Sequence, residues 1–477
     1  MGGVGESRRA GDQARLGVGD SRAVGGRARR PDQPGGGPTN QAEARPTRRR
    51  LFLNSTCLWL KDFSPSGDKE LHLPARVDVA VIGGGYTGVA AARALAQEGA
   101  SVAVLEQHEM GWGASTRNGG FVLPGFKRDV AALARRLGEA KARALFDVSL
   151  RSLDFLEELI AQCNIDCGYR RSGNISLAES DRQVRGLVAE QRLLSRAFGY
   201  ETTMLGAAAL REEIESRRYC GGLLDPRAGS LHPAKLFHGL ARAAAAAGAA
   251  MIPHLEARAI RYKPGGVTIA TSGGELSARD VLLATNGYSG RVHPGLRRRI
   301  VPLGSHIIAT APLALELIRR IMPQRRTMID SRNLLHYFRL SEDDRMLFGG
   351  RASFSPAPGN HSPAAARILA RDMTAIFPDL TGIPIDFAWS GNVAVTLDQM
   401  PHAGRMGGAA YAAGYCGHGV AMSVYVGDRM GRYLAGRAGL PPLAELDFPF
   451  FPLYNGRPWF LPIAGAWYRL TDWLNST

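Results

Sequence analysis

Glycines at fixed spacing carry the clearest chemical message in this chain. Gly83, Gly85 and Gly88 stand as G-x-G-x-x-G, after the β-branched run Val77 to Ile82 and before an Ala-rich stretch. A buried strand, a tight turn and a helix start are what that order encodes. The first glycine permits the turn, the second lets backbone approach a pyrophosphate, and the third allows close helix packing. Free N–H groups and the positive dipole end of the helix would then hold the phosphates without side-chain charge. Glu106 ends a second strand, Ser101 to Leu105, 18 residues after Gly88, placed to accept hydrogen bonds from ribose hydroxyls. An acid there favours an unphosphorylated ribose, so FAD or NAD is expected rather than NADP.

A second small-residue stretch separates those two. Met110 to Gly120 is too irregular for helix or strand, and it includes Ala114, Ser115, Asn118, Gly119 and Gly120. Backbone passing close along an extended ligand needs such residues, because larger ones collide with it. NAD sites do not usually require this, so FAD is favoured. Near the other end, Ala409 to Ala413 reads as a strand, followed by a Gly-rich turn with Gly417, His418 and Gly419 and a helix from Ala421 to about Leu434. That helix start could face the flavin and stabilise negative charge on the reduced ring. His418 is either a plain helix-start residue or a charge partner of the ring.

The elements that position these residues belong to an ordinary globular chain. With 477 residues, 45% hydrophobic and 21% charged, collagen, coiled coil and wholesale disorder are excluded, and two or three domains are expected. No apolar run reaches the roughly eighteen residues of a membrane-spanning helix, so a cytoplasmic or membrane-associated location is expected. Residues 1–50 hold eleven Arg, five acidic residues, eleven Gly and no aromatic residue, which predicts a disordered extension. The five cysteines, Cys57, Cys163, Cys167, Cys220 and Cys416, lack the spacing of redox or zinc motifs and read as reduced structural thiols. No metal ligand set is expected.

Together, VIGGGYTG (81–88), GWGASTRNGGF (111–121), LHPAKL (231–236), LATNGY (283–288), TLDQMPHAGR (396–405) and GYCGHGVA (414–421) resemble the D-amino-acid oxidase and sarcosine oxidase superfamily of FAD-dependent oxidoreductases. The resemblance covers about residues 55–470 and leans toward the γ-glutamylputrescine oxidase-like branch. It implies an α/β fold, a Rossmann-type FAD-binding domain (51–125, 225–290 and 388–440) with an interleaved α+β substrate domain (126–224 and 291–387) whose mixed sheet roofs the flavin. Helices near 141–162 and 181–198 and strands within 328–354 would belong largely to that substrate portion, and His232 followed by Pro233 reads as a helix start.

The implied reaction is oxidation of the C–N bond of a small amine or amino-acid derivative, with oxygen or a quinone as acceptor. Substrate contacts are expected from the roof, at His336, Tyr337, Arg339, Arg351 and Trp389, and from Arg117 beside the flavin glycines, where an Arg could clamp a carboxylate. Two departures stand out. Gly391 occupies the position of the flavin-linking Cys of sarcosine oxidases, so noncovalent FAD is expected. No Lys occurs beyond Lys263, so the oxygen-activating Lys of those oxidases is missing, with Arg345 or Arg351 as substitutes. Nine aromatic residues from Phe448 to Trp473 give an aromatic-rich tail within 441–477, expected to pack on the body, with peripheral membrane contact as the other reading. The competing functions are a D-amino-acid dehydrogenase passing electrons to quinone and a non-catalytic flavin- or nucleic-acid-binding protein; no specific nucleic-acid partner is expected.

Overall fold

The computed structural model describes residues 57–63, 72–350, 355–356, 362–450 and 452–467. The expected extension over 1–50 and the candidate Arg351 lie outside the described residues. Two eight-stranded sheets organise what is described.

The first sheet is built around Arg76–Ile82, which pairs in parallel with Val102–Leu105 on one side and with Gly274–Leu283 on the other. Its burial is continuous from Val79 to Ile82, not alternating, because both faces are covered: Val79 and Val81 pack toward the helices, while Ala80 and Ile82 join the core on the opposite face. Ala250–Ile252 extends one edge in parallel, and Ala409–Ala413 extends the other by pairing with Leu282 and Leu283. Sequence distance is therefore no guide to neighbourhood here, since residues 76–105 and 409–434 are brought side by side.

Two helices seal that juxtaposition. Tyr86–Gln97 and Val420–Leu434 cross so closely that a Cβ on Gly427 would stand 2.4 Å from Thr87 O, and one on Gly431 2.5 Å from Ala91 O. The small residues at this four-residue spacing let the two backbones meet, and both helix N-termini consequently open on the same space.

The second sheet runs, in order, Ile385–Val395, Val301–Thr310, Met346–Gly350, His336–Leu340, Thr327–Asp330, Asn174–Ala178, Gly221–Asp225 and Thr203–Gly206. It is mixed: Thr327–Asp330 and Asn174–Ala178 pair in parallel, and the other pairs are antiparallel. Strand alternation divides its faces. Phe338, Phe348 and Ile308 pack into a core with Leu369, Met373 and Ile376 of the Pro363–Ile376 helix. Ser305, Ile307 and Tyr337 turn the other way. The Ile385–Val395 strand belongs to this sheet along its whole length, so the boundary expected at 387/388 falls inside it.

Candidate active site

A cavity of about 900 Å³ is bounded by residues of both sheets. On one side are the turn at Gly83 and Gly85, Glu106, the 112–119 loop and the segment 415–420; across from them lie Ser305, Ile307 and Tyr337.

Local chemistry fixes the first side. Gly83 takes φ +108°, and a Cβ there would sit 2.7 Å from Ala284 O. Only glycine tolerates both conditions. Gly88 does not face the cavity; it lets the helix start ride against Gly83 O, where a Cβ would come to 2.0 Å. Glu106 is anchored before any ligand arrives, its carboxylate accepting from Gly84 N at 2.9 Å and His108 N at 3.0 Å. Ser115 Oγ accepts from Tyr86 N at 2.9 Å, tying the 112–119 loop to the first helix start. Asn118 staples the same loop, donating to Ala114 O and Ser115 O at 3.1 and 3.0 Å and accepting from Gly120 N at 2.8 Å.

At the second helix start, His418 Nδ1 and Ser423 Oγ are shielded from solvent and have no hydrogen-bond partner among the described residues. Loss of hydration, with the nearby Lys127 charge adding to it, pushes the His418 imidazole down to about 3. It is neutral at pH 7, and positive potential at this end comes from the helix terminus and Lys127.

Comparisons with known proteins bear on which ligand this arrangement holds. Residues 78–432 match the DAO family, described as FAD dependent oxidoreductase. The chain belongs to that family. It is 34% identical to γ-glutamylputrescine oxidoreductase of Escherichia coli strain K12 over 83% of this chain and 92% of the relative. It is 35% identical to the probable oxidoreductase OrdL of Haemophilus influenzae, covering 73% and 81% respectively. Among solved structures, glycine oxidase from Geobacillus kaustophilus aligns with a TM-score of 0.64 at 24% identity, over 80% of this chain and 99% of that one.

The residues of this FAD-dependent oxidoreductase fit its cofactor. Two helix N-termini, a glycine turn that admits no side chain, an anchored acid at a strand end and unpartnered polar atoms on His418 and Ser423 form a polar cradle that an apolar ligand would leave unsatisfied. Of the expected cofactor contacts, Gly83, Gly85, Glu106, Ala114, Ser115, Asn118, Gly119, Gly417, His418 and Gly419 line the cavity. Gly88 and Gly120 stand behind it as packing positions.

The expected substrate contacts divide differently. Tyr337 lines the cavity, its ring filling the space left by Gly349 on the paired strand and its hydroxyl 2.9 Å from Ser305 Oγ. Arg117 also lines it, with Nε donating to Trp112 O at 2.7 Å and the guanidinium 4.9 Å from the Trp112 ring centroid. Arg339 does not line it. Its guanidinium is buried and donates to Gly119 O and Leu231 O at 2.7 Å and Leu340 O at 3.2 Å, so it braces the 118–120 turn from behind. Trp389 likewise supports, donating to Arg117 O at 2.9 Å. Burial alone would lower His336, but its bonds to Asp330 and Asp372 push the imidazole up to about 9, and it too lies outside the lining. Arg345 is held by Asp343, Asp386 and Thr310 O, away from the cavity, and so does not replace the missing Lys. His232 caps its helix as expected, accepting from Lys235 N at 3.2 Å.

Several lining residues were given no contact role from sequence: Tyr288 and Cys416, which stand within the quoted motifs, and Arg291, Lys127, Glu190, Thr202 and Asp225. Cys416 Sγ donates to Gly414 O at 3.1 Å, and burial pushes the thiol up, so it is protonated. Glu190 did carry a signal: it is an acid on the apolar face of a helix.

Proposed function

We propose that this enzyme oxidises the C–N bond of a small amine carried on an amino-acid derivative, with a γ-glutamylated amine such as γ-glutamylputrescine as the preferred substrate. The observation that carries this reading is the single cavity in which the FAD cradle faces Tyr337 and Ser305 of the second sheet, with room beyond for an elongated ligand. The E. coli relative supports the choice of a γ-glutamyl amine over glycine or sarcosine. When bound, FAD would supply the hydride acceptor for the carbon beside nitrogen.

The chain's own residues bind and orient. Tyr337, fixed by Ser305 and by the edge of Phe121 at 5.6 Å, presents an aromatic wall along which an alkyl amine can lie. Arg117 offers a cation at the flavin side, held in place through Trp112 and Trp389. The apolar surroundings favour the neutral amine that the reaction needs. Gly391 lines the cavity where a linking Cys would stand, so FAD is held without a covalent bond and acid precipitation should release all the yellow colour.

The test is turnover with γ-glutamylputrescine, putrescine, glycine, sarcosine and D-alanine, each with oxygen and with a soluble quinone. A preference of at least tenfold in kcat/KM for the γ-glutamyl amine is expected, about the value of one well-formed extra contact. Preference for D-alanine with quinone only would replace this reading by the dehydrogenase one.

A further inference from the structure

The cavity extends past the flavin cradle to the far edge of the second sheet, where its chemistry changes. Asn174 and Asp225 are cross-strand partners there, Thr202 directly precedes the adjoining edge strand, and the Asp181–Leu193 helix covers them. On that helix Leu187 and Glu190 lie three residues apart, with Leu194 following four later, so one face presents leucine, glutamate, leucine. Both leucines are buried, and all three residues line the cavity. A carboxylate at a position the helical pattern reserves for an apolar residue calls for a partner. None of the hydrogen bonds or ion pairs found among the described residues supplies one to Glu190.

Two neighbours point the same way. Asp225 accepts from Tyr200 Oη at 2.6 Å and from Arg227 N at 3.0 Å, and it lines the same end. Thr202 also lines it; the residue is only 7% exposed and its hydroxyl has no hydrogen-bond partner. Of the cations nearby, Arg332 binds Glu179 at 2.9 Å and Arg128 donates to Asp398 O at 3.1 Å. Arg227 pairs with Asp154 through one guanidinium nitrogen, while its charge is also felt at Asp225 and its Nε has no hydrogen-bond partner among the described residues, which leaves Glu190 as the carboxylate without a cation. The charge of Lys127 is felt at Cys416 and His418. Apolar walls with two carboxylates and a spare hydroxyl suit a small hydrogen-bonding cation.

We propose that Glu190, Asp225 and Thr202 form a subsite for an ammonium group at the end of the substrate remote from the oxidised C–N bond, selecting molecules with a second cationic nitrogen. In a γ-glutamyl amine that group is the α-ammonium of the glutamyl part. The assignment rests on the proposed reading of the substrate as a γ-glutamyl amine, and makes the far end of the cavity the source of discrimination against glycine and sarcosine.

The experiment is calorimetric titration of the dithionite-reduced holoenzyme, which binds without turning over. The probes are γ-glutamylputrescine and its analogue lacking only the α-amino group. The wild-type protein is expected to bind the first about tenfold more tightly, the size of one charge-assisted contact. Glu190→Gln should shrink that preference to within about twofold by weakening the first probe and leaving the second, with an unchanged flavin spectrum reporting an intact fold. Thr202→Val is the second variant, expected to reduce the preference about threefold. Equal binding of both probes by the wild type, binding of neither, or an undiminished preference in Glu190→Gln would each overturn the subsite. Whether γ-glutamylputrescine bleaches the oxidised flavin is a separate reading, so loss of the substrate assignment leaves this comparison intact.

Discussion

Arg339 shows how a residue suited to binding substrate can be wholly committed to architecture. Its three donor bonds run to backbone carbonyls, with Trp59 stacked 5.3 Å away, and no carboxylate shares them. Arg339→Met keeps the volume but leaves Gly119 O and Leu231 O without donors, so a loss of about 3 kcal/mol is expected in chemical denaturation, with weakened FAD retention. A change of about 1 kcal/mol or less would refute the bracing role. Glu190 makes the opposite case. Loss of hydration, then the charges of Asp129 ahead of the neighbouring helix and Asp225 on the adjacent strand, pushes its carboxyl up to about 7, while Tyr200 faces the same end as a neutral phenol. The carboxylate therefore forms as pH rises through 7, and preference for γ-glutamylputrescine over its analogue lacking the α-amino group should grow between about pH 6 and pH 8. Glu190→Gln should flatten that profile; a preference that falls across this range has the wrong sign for the assignment.

The elements carry the next level of constraint. The two helix starts converge because Gly427 and Gly431 let their helices touch, and nothing larger fits against Thr87 O and Ala91 O. Gly427→Val should cost about 2 kcal/mol or more through overpacking and lower FAD affinity together with stability. Retained stability with unchanged FAD binding would show that the crossing is not what aligns the cradle. The strand, turn and helix around Gly83 were legible in the sequence because their demands are local: a positive φ, a clash with a Cβ, a β-branched run buried on both faces. The mixed sheet was legible as strands and through family resemblance. The directions of its side chains were not, since Arg339 finds Gly119 across 220 residues and Trp389 finds Arg117 across 272. Periodicity marks which face of a strand a residue occupies, but both Tyr337 and Arg339 share that face, and only the packed loop beneath separates cavity from brace.

At the scale of the whole molecule, charge and apolar surface are unevenly used. The aromatic tail was expected to pack on the body, and part of it does: Phe448 stacks on His402 at 4.0 Å and Tyr454 donates to Ile300 O at 2.9 Å. Leu453, Trp459, Ile463 and Trp467 are instead exposed, at 83, 61, 68 and 63%. No helix among the described residues is long and apolar enough to cross a membrane. Removing residues 1–50, which contain no aromatic residue, should leave flavin content and turnover within about twofold, since such a composition contributes nothing to a core. Loss of flavin on that deletion would assign the segment a part in the fold. The central claim, that a γ-glutamyl amine is the reductant of this FAD enzyme, is tested most directly by anaerobic mixing with γ-glutamylputrescine while following flavin absorbance near about 450 nm. Full bleaching at low concentration, with glycine, sarcosine and D-alanine slower by tenfold or more, is the result expected; a flavin that stays oxidised with γ-glutamylputrescine but is reduced by one of the others would contradict it.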